Sequence, residues 1–311
     1  MTSVTKKIKI SGVGIHSGLP VNMVILPSKK TGIFFKRTDL KGSSLIPAKY
    51  DNVGETMMRN TTVGNPKSEH VQTIEHLMAA LFLCGIDSAI IEIDGPETPI
   101  LDGSAFEFYK AFEKFVSKKT KMKKIIVKKT IIATRNELIK QMPFFKRIKT
   151  FILNHTIARK GNGYVKLSPN DNGLTIDATL IYPDKIIGKQ SFVCNLDGTK
   201  KSVNNFVKNI SKSRTFGKYA EWEWLKAHGM GRGANEHNVI ALNEQGDGTL
   251  NKLHYRDEFV RHKIIDAVGD MFTSGGFIVG HLESNKGSHA LNNLVLRKLF
   301  SDKSNYKIVE E

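Results

Sequence analysis

The sequence predicts an α+β fold made of two sheet-plus-helices halves, and three observations carry that expectation. Short apolar stretches alternate with a period of two, as half-buried strands do. Longer ones repeat at helical spacing. The order of sheet first and helices after recurs on either side of a lysine-rich run at residues 118–129. At 311 residues the chain has length for two domains of ordinary size. No residue-by-residue repeat supports that division, which rests on the order of elements alone. It yields two α+β layers whose helices can pack on each other.

Taken in order, residues 8–10, 13–15, 21–26 and 33–35 read as strands separated by turns containing Gly, Ser and Pro. Residues 73–84 read as a helix, because Ile74, Leu77, Met78 and Leu81 fall at helical spacing and Gly85 is placed to cap it in a left-handed conformation. A buried strand at 89–93 and a turn at Asp94-Gly95-Pro96-Glu97 follow. A second helix at 104–115 bears Phe106, Phe108, Tyr109, Phe112 and Phe115. Beyond the lysine run, strands are expected at 125–127, 130–133, 164–167 and 174–180, then a helix at 202–210. The segment 257–272 is a further helix: Asp257 and Glu258 suit its positive N-terminal end, and Val260, Ile264, Ile265, Val268, Met271 and Phe272 form an apolar face.

Composition narrows the function. The formal charge is +17, but lysine greatly outnumbers arginine and the positive residues are scattered, so nucleic acid is not expected as a partner. A basic surface suits an anionic substrate or transient contact with an anionic membrane face. The apolar stretch before residue 94 is interrupted by Gly85, Asp87 and Glu92, too early for a membrane span, and residues 1–12 hold no signal-like apolar run. A soluble, cytoplasmic protein is expected. Cys84 and Cys194 lie in apolar surroundings without C-x-x-C spacing, so they read as small buried hydrophobes.

The segment that points to chemistry is His262-Lys263-Ile264-Ile265-Asp266, with Asp270 four residues on. On a helix these i, i+4 and i+8 positions share one face, off the apolar one, and His262 with Asp266 makes a pair of metal ligands. The same spacing also arises on solvated helix faces. A catalytic metal needs a third protein ligand, and the best candidate is His76. His16, His70, His155, His228, His237, His254 and His281 read instead as surface or loop residues. Glu75 precedes His76 in the first helical turn, so their side chains diverge by about 100°. It would stand outside the ligands, able to take a proton from an activated water, although a carboxylate there equally suits the helix dipole. Gly229-Met230-Gly231-Arg232-Gly233 mimics a dinucleotide fingerprint but lacks the strand before and the helix after.

The constellation as a whole resembles the UDP-3-O-acyl-N-acetylglucosamine deacetylases. The resemblance rests on Ser11-Gly12-Val13-Gly14-Ile15-His16-Ser17-Gly18, Thr73-Ile74-Glu75-His76-Leu77, Pro99-Ile100-Leu101-Asp102-Gly103-Ser104, Ser213-Arg214-Thr215-Phe216-Gly217, residues 262–270 and Gly287-Ser288-His289-Ala290-Leu291-Asn292-Asn293, in that order from about residue 5 to 297. It implies two α+β sandwich domains, at 1–120 and 126–300, with helices packed between the sheets and the site at their junction; residues 301–311 are expected as a polar tail. It further implies a zinc amidohydrolase of lipid A synthesis, expected to act as a monomer on an acylated UDP-sugar and to hold one Zn2+ through His76, His262 and Asp266. Glu75 is then the general base, His289 the general acid, Asp270 the group orienting His289, and Thr215 a donor to the oxyanion. Lys263 and Lys286 are expected to meet the sugar and diphosphate, and Phe216 to pack near the nucleotide or sugar, with a core role as its alternative.

The family's acyl passage corresponds to an inserted element at about 217–243, where Trp222 and Leu225, with Trp224, are the expected lining. Core packing of the tryptophans is the alternative. Here the sequence departs from the family, with Lys218 and Gly231-Arg232-Gly233-Ala234-Asn235 where a more aliphatic, Gly-Gly-Ser-like stretch is usual.

Overall fold

The computed structural model describes residues 2–54, 60–117, 123–141 and 162–310. Residues 118–122 of the lysine-rich run, and His155, lie outside them. The first part of the chain forms β1 (Ile8–Val13), β2 (Pro20–Pro27), β3 (Gly32–Arg37), β4 (Ile46–Pro47), the small pair β5 (Val63–Gly64) and β6 (His70–Val71), α1 (Glu75–Cys84), β7 (Ser88–Ile93) and α2 (Phe106–Phe112). The second part forms β8 (Lys124–Val127), β9 (Ile131–Thr134), α3 (Arg135–Gln141), β10 (Tyr164–Ser168), β11 (Leu174–Ile181), β12 (Lys189–Leu196), α4 (Lys200–Asn209), β13 (Phe216–Lys218), α5 (Trp222–Ala227), β14 (Ile240–Leu242), α6 (Glu258–Phe272), β15 (Phe277–Asn285), α7 (His289–Phe300) and β16 (Tyr306–Val309). This is the α+β architecture the periodicity predicts.

The two main sheets repeat one topology. The first runs β1-β2-β7-β3-β4, pairing antiparallel, antiparallel, parallel and antiparallel. The second contains β9-β10-β15-β11-β12, with the same four relations in the same order. Each central strand, β7 or β15, follows a helix, α1 or α6, and precedes another, α2 or α7. The resemblance between halves therefore lies in order and direction of elements, the level at which the sequence shows it.

The second sheet carries an addition. Phe277–Val279 of β15 also pair with β8, and β8 pairs with β16. Residues 306–309, inside the segment expected as a polar tail, are thus a strand of the sheet. The strands alternate as expected, with Leu174, Ile176, Ala178 and Leu180 of β11 turned into the core.

Both α1 and α6 lie in the interior, and this explains their composition. All ten residues of α1 are buried, and in α6 only Arg261 and Lys263 are not. A helix covered on every side needs no polar face. One continuous apolar core joins both sheets to these helices, with Met23, Ile25 and Phe35 from the first sheet and Val165, Ile176 and Leu282 from the second. Gly85 ends α1 at φ 72°, the left-handed cap read from the sequence. Cys84 and Cys194 are buried and not joined in a disulfide, and burial pushes the Cys194 thiol up to about 12. Among the described residues no helix is long and apolar enough to cross a membrane.

Candidate active site

Two features place Glu75 and His76. The first is Thr73, whose φ of 58° is an unfavourable conformation for a β-branched residue. It is held by its neighbours: the Thr73 hydroxyl donates to Glu97 Oε1 at 2.9 Å, Asn60 Nδ2 donates to Thr73 Oγ1 at 3.1 Å, and the Thr98 hydroxyl donates to the Thr73 carbonyl. Glu97 is itself fixed by the backbone N–H groups of His16 and Ser17. The chain turns sharply at Thr73 and starts α1 with Glu75 and His76 in its first turn, each 3% exposed.

The second feature is the contact of α1 with α6. A β-carbon on Gly269 would collide with the Glu75 carbonyl oxygen, so glycine permits the helices to approach closely there. That approach brings His76 beside His262 and Asp266. His262 Nε2 lies 3.3 Å and His76 Nε2 3.6 Å from the same oxygen, Asp266 Oδ1, and the imidazole rings cross edge to face at 82°. One ligand atom from each residue lies within 4.8 Å of the others, and all three residues are buried. The polar stripe of α6 is therefore not a solvated face but a second buried one, turned toward α1.

The donor chemistry of this triad calls for a cation. His262 Nδ1 faces the Ser213 carbonyl at 3.1 Å, so Nδ1 carries the proton and donates, leaving the Nε2 lone pair turned to Asp266. Burial lowers the His262 pKa to about 3, so the ring is neutral. Asp266 Oδ1 is buried and accepts no hydrogen bond. A lone pair and a carboxylate oxygen facing each other in a low-dielectric interior repel unless positive charge lies between them. Burial alone would raise the Asp266 pKa, but His262, which carries charge only in acid, together with Lys263 and His289 outweighs it and holds the carboxyl well below its ordinary value. The fit is that of a divalent metal with two imidazole nitrogens and a carboxylate.

Glu75 and His289, the expected acid–base groups, stand next to the triad. Glu75 Oε2 accepts the backbone N–H of Thr61 at 3.0 Å, and its Oε1 lies 3.8 Å from His289 Nε2. Burial raises the Glu75 pKa, with His289 and His76 opposing. His289 begins α7, whose N-cap Ser288 accepts from the Leu291 N–H. Its Nδ1 lies 2.8 Å from Asp270 Oδ2. Burial would strip its proton, but the carboxylates of Asp270, Glu75 and Asp266 outweigh burial and hold the pKa at about 9. A doubly protonated His289 therefore points Nε2–H toward Glu75, with Asp266 Oδ2 also 3.8 Å away.

The other residues expected at the site take varied positions. Lys263 Nζ donates to Asp266 Oδ2 at 2.7 Å and lies over the Phe216 ring, which packs edge-on to Phe259 and His262. Thr215 leads into β13, anchored by its N–H to the Gly103 carbonyl and by its carbonyl to the Ile240 N–H. Lys286 has φ 49° and donates its N–H to the Thr179 carbonyl, at the end of a cleft lined by Lys263, Asp266, Ser284, Gly287, His289 and Asn292.

In the inserted element, Trp222 packs with Ile15, Ile100, Val239 and Ala241 in a small second core, the alternative the sequence left open. Trp224 is half exposed and stacks on His228, and Leu225 is partly buried near Gly231. The N–H groups of Arg232 and Gly233 donate to the His16 and Ile15 carbonyls, so the element reaches across to the first sheet's hairpin. His237 is exposed, its N–H held by Asn235 Oδ1.

Five residues that support the site escape a sequence reading: Thr61, Glu97 and Asn292, and the buried pair of Arg214 and Glu258, in which Arg214 Nε donates to Glu258 Oε1 at 3.0 Å directly after Ser213, whose carbonyl faces His262. Asn292 alone had a local signal, being one helical turn beyond His289; its Nδ2 donates to Asp270 Oδ2 at 2.8 Å.

Known proteins are similar in sequence to this chain over nearly its full length. The family model described as UDP-3-O-acyl N-acetylglycosamine deacetylase matches residues 1–301. A protein of Shewanella frigidimarina named UDP-3-O-acyl-N-acetylglucosamine deacetylase is 36% identical over 310 residues, covering 99% of this chain and 92% of its own length. Proteins of the same name from Nitratiruptor sp. and Neisseria meningitidis serogroup C are 34% and 33% identical, again over 99% of this chain and 93% and 92% of theirs.

Proposed function

Because the chain belongs to the UDP-3-O-acyl-N-acetylglucosamine deacetylase family, we propose that it is the zinc-dependent hydrolase that removes acetate from UDP-3-O-(3-hydroxyacyl)-N-acetylglucosamine in lipid A synthesis. The observation that carries the reading is the buried triad of His76, His262 and Asp266, whose Asp266 Oδ1 faces two imidazole nitrogens and accepts no hydrogen bond. Zinc held there would supply Lewis acidity, polarising the acetyl carbonyl and bringing the pKa of a water near 7.

The chain's own residues supply the proton transfers. Glu75, ionised and beside the triad, takes a proton from the attacking water as its oxygen bonds to the acetyl carbon. The hydroxyl of Thr215 donates to the carbonyl oxygen as negative charge develops there. His289 passes its Nε2 proton to the glucosamine nitrogen as the C–N bond breaks, so the leaving group departs as an amine, not an amide anion. Asp270 keeps Nδ1 protonated and the ring aimed at the reacting centre. Acetate and the free amino sugar are the products.

Recognition of the substrate falls to residues around this centre. Phe216, against His262, offers a face to sugar or nucleotide, and Lys263 and Lys286 offer positive charge to the sugar and diphosphate. The element at 217–243 is the proposed acyl passage. Acetate release from the UDP-linked acylated substrate, compared with its 3-O-deacyl analogue before and after chelation, tests the reading. Loss on chelation and a strong preference for the acylated form are expected; indifference to both would overturn it.

A further inference from the structure

Asp270 is a buried carboxylate with three side-chain donors, and one of them comes from a segment remote in sequence. Its Oδ2 accepts from His289 Nδ1 and from Asn292 Nδ2, each at 2.8 Å. Its Oδ1 accepts the hydroxyl of Thr61 at 2.5 Å, across a separation of 209 residues. The same hydroxyl oxygen lies 3.2 Å from His289 Nδ1.

Thr61 also reaches the other side of the acid–base pair. Its backbone N–H donates to Glu75 Oε2 at 3.0 Å, and its carbonyl accepts the Ile74 N–H. The residue is 3% exposed, so no bulk water competes for these contacts. One residue ahead of α1 therefore touches Glu75 through its backbone and Asp270 through its side chain, although these belong to different interior helices.

We infer that Thr61 is a positioning residue for the deacetylation proposed above: its hydroxyl locks the Asp270 carboxylate in the plane that aims His289 Nε2 at the leaving nitrogen, while its N–H fixes Glu75. The role needs a hydroxyl and not merely a side chain of this size. Without the hydroxyl, Asp270 Oδ1 is left buried without that donor, and the carboxylate is free to turn away from His289. Asn292 and His289 hold only the other oxygen and cannot replace it.

The test compares Thr61→Val, nearly isosteric and without a hydroxyl, with Thr61→Ser, which keeps the hydroxyl and loses a methyl. Zinc content, kcat and KM for the acylated UDP-sugar are measured well below each variant's melting temperature. Thr61→Val is expected to keep its metal and its KM while kcat falls by about 10- to 100-fold, the scale of a lost hydrogen bond to a charged group; Thr61→Ser should recover most of that loss. Thr61→Ala is the second hydroxyl-free variant should valine not fold, and it must fall with the same pattern. Wild-type kcat in either hydroxyl-free variant, or an equal loss in serine, would overturn the role of Thr61. A wild-type protein that binds zinc and releases no acetate would overturn instead the reading of the site on which this inference rests.

Discussion

Glu75 and His289 lie 3.8 Å apart, and in the proposed reaction they have opposite needs: the base must be ionised and the acid protonated. Burial raises Glu75, so activity should climb with pH only above the ordinary carboxylate range. His289 is held at about 9, so activity should fall as pH rises through the region where it loses its proton. Both limbs belong to the coupled pair. Asp270 is the carboxylate contributing most to the raised value of His289, so removing its charge must lower that value. Asp270→Asn should therefore move the alkaline limb to lower pH, read from kcat/KM against pH; an unmoved limb would remove Asp270 from this role. At the same scale the histidine–aspartate spacing on residues 262–270 was legible, because helical periodicity is local. Thr61 was not, since nothing local in a sequence links it to a carboxylate 209 residues away.

Between elements, the decisive contact is that of α1 with α6, and Gly269 permits it. Gly269→Ala would press a methyl against the Glu75 carbonyl, so the helices must part. Overpacking of this kind costs about 1–3 kcal/mol, and deacetylation should fall further than stability alone explains, because Glu75 and His76 move away from Asp266. Denaturant melts beside kcat would show it, and a variant with wild-type stability and rate would mean the helices have slack. Trp222 is packed in the small second core, so Trp222→Ala should lower stability by about 3 kcal/mol and leave the relative kcat/KM across acyl lengths unchanged. A changed acyl preference without loss of stability would return it to the passage. The sequence exposed α1 and α6 because capping residues and apolar spacing coincide there. It hid β15, whose Phe-Ile-Val-Gly-His-Leu-Glu-Ser-Asn run is buried at one end and half-buried at the other because it is the central strand, a property of the assembled sheet. It hid β16 for a similar reason: Tyr306–Val309 is only four residues long and has no fully buried residue, and its pairing with β8 is what makes it a strand.

Across the whole molecule, each half contributes a central helix, and the site exists only where the two meet: Glu75 and His76 come from α1, His262, Asp266 and Asp270 from α6. The repeated sheet topology gives the two helices equivalent places, so the candidate metal ligands from both halves converge without a dedicated loop. The excess of positive charge is spread over the chain and suits an anionic UDP-sugar. If the inserted element receives the acyl chain, shortening that chain by four carbons should weaken transition-state binding by about 3 kcal/mol, roughly a hundredfold in kcat/KM; a flat series would place the passage elsewhere. The central claim is that a single metal ion on His76, His262 and Asp266 serves a reaction in which Glu75 is the base. Zinc titrated into metal-free protein, with bound metal and acetate release followed together, tests it most directly. Activity should rise with bound zinc and level off at a single ion per chain, His262→Ala should lose metal and activity together, and Glu75→Ala should bind the ion yet run at least about a hundredfold slower. Wild-type zinc stoichiometry and affinity in His262→Ala, or near-wild-type turnover by Glu75→Ala, would contradict it.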